Sequence, residues 1–208
     1  MKVDEKVGSY PVPSPLLIVV SGMSGVGKDS VLHELRQSSL PLEFIVTMTT
    51  RRPRPDERDG IHYTFVTREN FQDLIARDQL LEWAKVYGNY YGPPKSAVRE
   101  ALNAGKDAIL RVDVQGVRTI KQAVPDCVAI FLAAPSMAEL EQRLRSRGTE
   151  SETELDLRLK TAEEELKQLP LFDYIVFNRE SRLDRAVAEI EAIITAEKRR
   201  VKPRRVSL

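Results

Sequence analysis

The segment that most constrains this chain is Leu16 to Ser30, LLIVVSGMSGVGKDS, in which a short apolar run enters a loop carrying Gly22, Gly25, Gly27 and Lys28. The run is rich in β-branched residues and apolar on both faces, which suits a strand buried in a parallel sheet. After Lys28, the residues Val31, Leu32 and Leu35 recur at helical spacing, so the loop opens a helix. Glycines there let successive backbone N–H groups converge on phosphate oxygens. The helix N-terminus adds favourable partial charge, and Lys28 reaches for the terminal phosphates. The predicted ligand is ATP or GTP. Asp29 stands where such loops normally offer a Ser or Thr hydroxyl to Mg²⁺, and Ser30 comes one residue late. An Asp at that point holds the metal directly, holds it through water, or serves only as a first-turn acid.

With 208 residues, 42% hydrophobic and 30% charged, the chain suits one soluble globular domain with a small inserted lobe. Its 32 basic and 31 acidic side chains balance to +1, so bulk charge points to neither nucleic acid nor membrane as partner. The single Cys127 lies in the apolar run CVAIFLAA and reads as a core residue; two histidines beside it make a structural zinc site unfavourable. Residues 1–14 are polar and proline-punctuated and read as a flexible segment, with no secretion signal or membrane span, so the expected address is cytoplasmic. Residues 199–208 form a basic tail, with six basic residues in the eight from Lys198 to Arg205, read as solvated and frayed.

Apolar runs at Ala108–Val112, Val128–Ala133 and Tyr174–Phe177 alternate with helical patterns, which implies an α/β fold with a parallel sheet and helices on both faces. Helices are expected over Val117–Val124, Ser136–Arg147, Glu152–Leu169 and Leu183–Lys198. Ser136 and Glu139 form a capping box on the second, which Gly148 ends. The stretch from about Thr49 to Pro94 breaks the alternation and reads as a lobe of short antiparallel strands with one helix after Thr67. Ser96 is expected to cap the helix that returns the chain to the core.

The loop Thr49 to Arg54 brings three guanidinium groups together, with Pro53 stiffening the backbone between them, and suggests a second phosphate site. Tyr63, Tyr90 and Tyr91 in the same lobe offer further donors. Glu82 sits between Leu81 and Trp83 in an apolar strand. Alternation alone points it at solvent, whereas in a closed pocket it accepts from two adjacent donors of a base edge, which guanine has and adenine lacks. Asp113 ends the strand AILRVD, where side chains reach the ligand crevice of an open parallel sheet. Arg143, Arg145, Arg147 and Arg158 flank the polar stretch GTESETE, either as compensation of a helix dipole or as a lid.

These blocks, SGMSGVGK, TTRRPRPDERDGIHYTFV, LLEWAKVYGNYYG, VDVQGV and RLRSRGTE, occur in an order and spacing that resemble the guanylate kinase family over Leu16 to Lys198. The resemblance implies a P-loop nucleoside monophosphate kinase with a five-stranded parallel core (15–48 and 95–198), a GMP-binding lobe (about 49–94) and a lid (about 143–158). By position, Arg51, Arg54, Tyr63 and Tyr91 would hold the GMP phosphate, while Thr47, Glu82 and Asp113 would address the guanine. Lys28 and the backbone of Ser24, Gly25, Val26, Gly27, Asp29 and Ser30 would hold ATP phosphates. Arg143, Arg147 and Arg158 would close on them, and Mg²⁺ would accompany ATP with Asp29 as its protein ligand.

Four positions depart from the family pattern: Asp29 at the hydroxyl position, Pro93 where Ser or Thr usually meets guanine, Arg111 where an acid usually precedes VDVQG, and Arg179 after Asn178. The expected reaction is phosphorylation of GMP, and of dGMP, by ATP. The alternatives are a P-loop kinase of another phosphorylated small molecule, such as a ribose phosphate, and a non-catalytic guanylate-kinase-like binding module. The oligomeric state stays open between monomer and homodimer.

Overall fold

The structure is a computed structural model and describes residues 13–86, 88–147 and 151–208; of Arg147 it describes only the place in a helix. The expected flexible segment up to residue 12 and the stop at Gly148 lie outside the described residues.

The apolar run becomes strand β1 (Leu17–Gly22), buried along its whole length, and the segment after the glycine loop becomes helix α1 (Lys28–Leu35). Strands β2 (Leu42–Phe44) and β3 (Met48–Thr49) follow, then β4 (Thr64–Phe65), helix α2 (Arg68–Ala76), and strands β5 (Ala84–Val86) and β6 (Asn89–Gly92). Helix α3 (Lys95–Asn103) leads to β7 (Asp107–Arg111), α4 (Val114–Ala123), β8 (Val128–Ala133), α5 (Met137–Arg147), α6 (Glu152–Leu166), a 3-10 turn at Leu169–Leu171, β9 (Tyr174–Phe177) and α7 (Leu183–Glu197).

One sheet has five strands in the order β2-β7-β1-β8-β9, all parallel, with β1 in the middle. Parallel strands require crossovers, and the helices supplied by the alternating sequence provide them. The central strand divides the core: Ile18 and Val20 pack with α1, α5, α6 and α7 on one face, and Leu17 and Val19 with α3 and α4 on the other. Cys127 is fully buried in the second cluster, and burial pushes its thiol up to about 11, so it is a core residue as expected.

A second sheet, in the order β4-β3-β6-β5, forms the lobe. The β3–β6 and β5–β6 pairs are antiparallel as expected, but β3 and β4 run parallel, with Met48 opposite Thr64. Residues 50–63, the arginine loop, are long enough to carry the chain back over the lobe, which is what parallel pairing demands.

Three local expectations change. The N-cap of α3 is Pro94, with Ser96 inside the helix, because Lys95 N–H donates to Gln79 O and fixes the entry of the chain one residue earlier. On α5 the capping box is half made. Ser136 Oγ accepts from Glu139 N–H at 3.1 Å, but the Glu139 carboxylate turns to Arg143 and to the N–H of Glu180. The basic tail is not frayed: the buried carboxylate of Glu197 accepts from Arg204 Nε at 2.8 Å, Arg204 also donates to Cys127 O, and Val206 and Leu208 pack on the core. A buried carboxylate needs such a partner, and the tail supplies it.

Candidate active site

At the C-terminal edge of the large sheet the chain leaves β1 through the glycine loop. Gly22, Gly25 and Gly27 all have positive φ, and a Cβ at Gly22 would lie 2.1 Å from Leu132 O, so the loop cannot be built there with any side chain. Lys28 curls back over this loop, its Nζ donating to Gly22 O at 2.7 Å and Met23 O at 3.0 Å. Burial lowers the pKa of its ammonium, while Glu165 and Asp29 act in the opposite direction. Two contacts around the loop were not legible in the sequence. The buried Asn178 donates from Nδ2 to Val26 O at 2.8 Å, pinning the loop to the end of β9. From α6, Glu165 Oε2 accepts from Ser24 N–H at 2.6 Å, so a carboxylate already sits on one of the loop amides.

Asp29 and Ser30 lie in the first turn of α1 and are exposed, and Asp29 is ion-paired with Arg111 from the end of β7. Mg²⁺ in phosphate sites takes one or two carboxylates and draws its remaining ligands from phosphates and water. Asp29 offers a single exposed carboxylate beside the loop and fits that mode by sharing its charge with Arg111, to which it is ion-paired. Among the described residues no group of three or more His, Cys, Asp and Glu is arranged to hold an ion by itself.

Across the cleft, a cavity of about 240 Å³ brings together Lys28, Thr47, Tyr63, Glu82, Tyr91, Arg111, Asp113 and Glu165. Every residue expected to address the guanine lines it. Glu82 precedes β5 rather than lying within a strand, and only 9% of it is exposed, whereas the neighbouring Trp83 is 49% exposed. Alternation does not govern this stretch: Leu80, Leu81 and Glu82 are buried in succession and only Trp83 turns outward. Burial, helped by the negative charge of Asp113, pushes the Glu82 carboxyl up to about 7. Asp113 is the N-cap of α4, its Oδ1 accepting from Gly116 N–H at 2.7 Å. Gly116 also makes room: a Cβ there would lie 3.3 Å from Glu82 Oε2.

Among the described residues no arginine of the loop Thr49 to Arg54 lines this cavity, and Arg51 approaches it through Tyr63. Arg51 stacks over the Tyr63 ring at 5.4 Å and donates to both oxygens of Glu57, a partner that a charged loop composition does not reveal. Tyr63 and Tyr91 meet edge to face, with centroids 6.0 Å apart. Arg54 is exposed and lines a larger neighbouring cavity of about 390 Å³. Two of the arginines expected on a lid line neither cavity: Arg143 on α5 pairs with Glu139, and Arg158 lies on α6. The side chain of Arg147 lies outside the described residues.

A phosphate loop on the edge of a parallel sheet, facing a lobe that carries its own arginines and tyrosines, defines a P-loop phosphotransferase with two phosphorylated ligands. The guanylate kinase family model matches residues 14–197. The chain belongs to the guanylate kinase family and is an ATP-dependent nucleoside monophosphate kinase. A guanylate kinase of Desulfitobacterium hafniense (strain Y51) is 50% identical over 187 residues, spanning 90% of this chain and 92% of its own. One from Carboxydothermus hydrogenoformans is 45% identical over 192 residues, spanning 92% of each. The crystal structure of guanylate kinase from Anaplasma phagocytophilum matches with a TM-score of 0.72 at 27% identity, covering 92% of this chain and 90% of that one.

Proposed function

We propose that this chain transfers the γ-phosphoryl group of ATP to GMP and dGMP, with guanine held by Thr47, Glu82 and Asp113. The observation that carries this reading is the buried Glu82 carboxylate at the cavity wall, with Asp113 beside it and no basic side chain bonded to it among the described residues. Once ionised, a buried carboxylate of this kind is acceptor-only, so it favours a ligand that brings two adjacent N–H donors and penalises one that lacks them. Guanine brings that pair, and a ribose phosphate has no base edge at all.

In this reading Arg51, Arg54, Tyr63 and Tyr91 hold the acceptor phosphate, and the loop from Ser24 to Ser30 with Lys28 holds the donor phosphates. The acceptor oxygen is already an anion, so positioning and charge neutralisation suffice and no general base is required. Arg143, Arg147 and Arg158 on the segment 143–158 form a lid that closes on the transferring group and excludes water. Asp29 would be the protein ligand to a Mg²⁺ carried in with ATP, which when bound would supply further neutralisation of phosphate charge. The lobe is best drawn from Met48, since β3 already belongs to its sheet.

The test is ADP formation from ATP and Mg²⁺ with GMP, AMP, UMP, CMP, ribose phosphates or no acceptor. Turnover with guanine nucleotides alone is expected. Equal use of AMP, or silence with every acceptor from folded protein, would overturn the reading.

A further inference from the structure

Arg111 is the last residue of β7 and pairs in register with Val20 of β1, so it stands on the same sheet edge as the phosphate loop. Its guanidinium reaches two separate parts of the molecule. One nitrogen is ion-paired with Asp29 in the first turn of α1, and the other donates to the hydroxyl of Tyr63 in the lobe at 3.0 Å. The residues that line both the 240 Å³ cavity and the 390 Å³ cavity are Thr47, Tyr63 and Arg111. The positive charge is also felt at Lys28, whose ammonium it disfavours. A guanidinium has five donors in a planar fork, and among the described residues Asp29 and Tyr63 engage one terminal nitrogen each. By contrast, Arg51 spends both terminal nitrogens on one carboxylate.

The pairing with Asp29 does not by itself explain such a residue. The Asp29 side chain is 80% exposed, and an ion pair with so wet a partner adds little to the fold. What the two contacts do is orient the fork at the seam between loop and lobe. A group passing from the donor phosphates to an acceptor phosphate beside Tyr63 has to cross this seam.

We propose that Arg111 is a phosphate-contacting residue of this enzyme, a cation carried by the rigid sheet at the junction of donor and acceptor sites and held in place by Asp29 and Tyr63. This rests on the reading of the lobe as the acceptor site. The ligand chemistry it recognises is a phosphate monoester on the acceptor side, joined during transfer by the migrating phosphoryl group.

The experiment compares the wild-type chain with Arg111→Ala, Arg111→Gln, Asp29→Ala and the Asp29→Ala/Arg111→Ala double variant. Dissociation constants for GMP and for guanosine are measured by calorimetry without ATP or metal, followed by kcat and KM with both substrates. Both Arg111 variants are expected to bind GMP about tenfold more weakly and guanosine within about twofold of wild type, with kcat lower by about 10 to 100-fold. In GMP binding the double variant should remain as impaired as Arg111→Ala. Equal losses for GMP and guanosine, unchanged GMP binding, or recovery of the double variant to wild-type behaviour would overturn the proposal; the last would reduce Arg111 to a neutraliser of Asp29. Wild-type protein that does not use GMP would instead overturn the acceptor reading, and the proposal with it.

Discussion

The Arg51 guanidinium donates to both carboxylate oxygens of Glu57, at 2.9 Å to Oε2 and 2.7 Å to Oε1, and the N–H of Arg54 reaches the same Oε2 at 2.8 Å. One acid thereby holds the Arg51 guanidinium and the backbone of Arg54, the two arginines assigned to the acceptor phosphate. Hydrogen bonding to Arg51 holds the Glu57 carboxyl down at about 2, against 4.5 for an ordinary glutamate, so the clamp is charged throughout the working pH range. Because the folded value is depressed, its contribution is present above 4.5 and is lost as pH falls towards 2. Glu57→Gln should raise KM for GMP about tenfold and leave kcat within about threefold, since a neutral amide makes weaker bonds to the fork. Steady-state kinetics with GMP as the varied substrate would show it, and an unchanged KM would mean that Arg51 is positioned by other groups.

Glu82 carries the opposite shift. Its folded pKa of about 7 lies above the unfolded 4.5, so the folded chain binds a proton that the unfolded chain has released between these values. Stability contributed by this site therefore falls as pH rises from 4.5 to 7 and stays lowered above 7. Glu82→Gln removes that burden, worth about 3 kcal/mol as an upper bound, and should melt higher than wild type at pH 8, with the gap closing at pH 5. GMP use should fall by about 100-fold or more in the same variant. In the wild type, the dissociation constant of GMP should decrease from pH 6 to pH 8 as the carboxylate ionises, whereas a flat profile would remove Glu82 from guanine recognition.

Lys28 lies against Gly22 O and Met23 O and, among the described residues, donates to no other element. Lys28→Ala is expected to lower kcat by about 1,000-fold or more while shifting the melting temperature by only a few degrees. Thermal melts and single-turnover assays on the same preparation separate the two effects.

Gly116→Ala places a methyl group 3.0 Å from Val112 Cβ and 3.2 Å from the Glu82 carboxyl carbon. The neighbours must give by a few tenths of an ångström, while the helix gains about 1 kcal/mol from replacing glycine. KM for GMP should rise several-fold at nearly constant stability. A loss of folding would instead mean that this contact is rigid.

Much of this was readable from the chain alone. The strands β1, β7, β8 and β9 are apolar runs of four to six residues bounded by turns, and burial in a parallel sheet leaves that mark. Strands of two residues such as β3 and β4 carry no period, so their parallel pairing was hidden. Thr47, Glu82 and Asp113, which line one cavity, stood out through motifs, yet Glu57 and Glu165 did not. Each looks like one acid among many on a charged surface, and only the fold places it against Arg51 or Ser24. Glu139 illustrates the same limit. Its spacing from Ser136 promises a reciprocal cap, but Arg143 one turn on and the N–H of Glu180 outcompete the backbone for its carboxylate.

The hydrogen bond from Ser24 N–H to Glu165 Oε2 has a consequence for how the enzyme meets its donor. A phosphate that takes this amide must first evict a carboxylate of the protein, and like charges do not share a single N–H. Glu165 belongs to α6, the same helix that bears Arg158. In the proposed reading the protein's own acid is therefore the resident competitor for the phosphate nest.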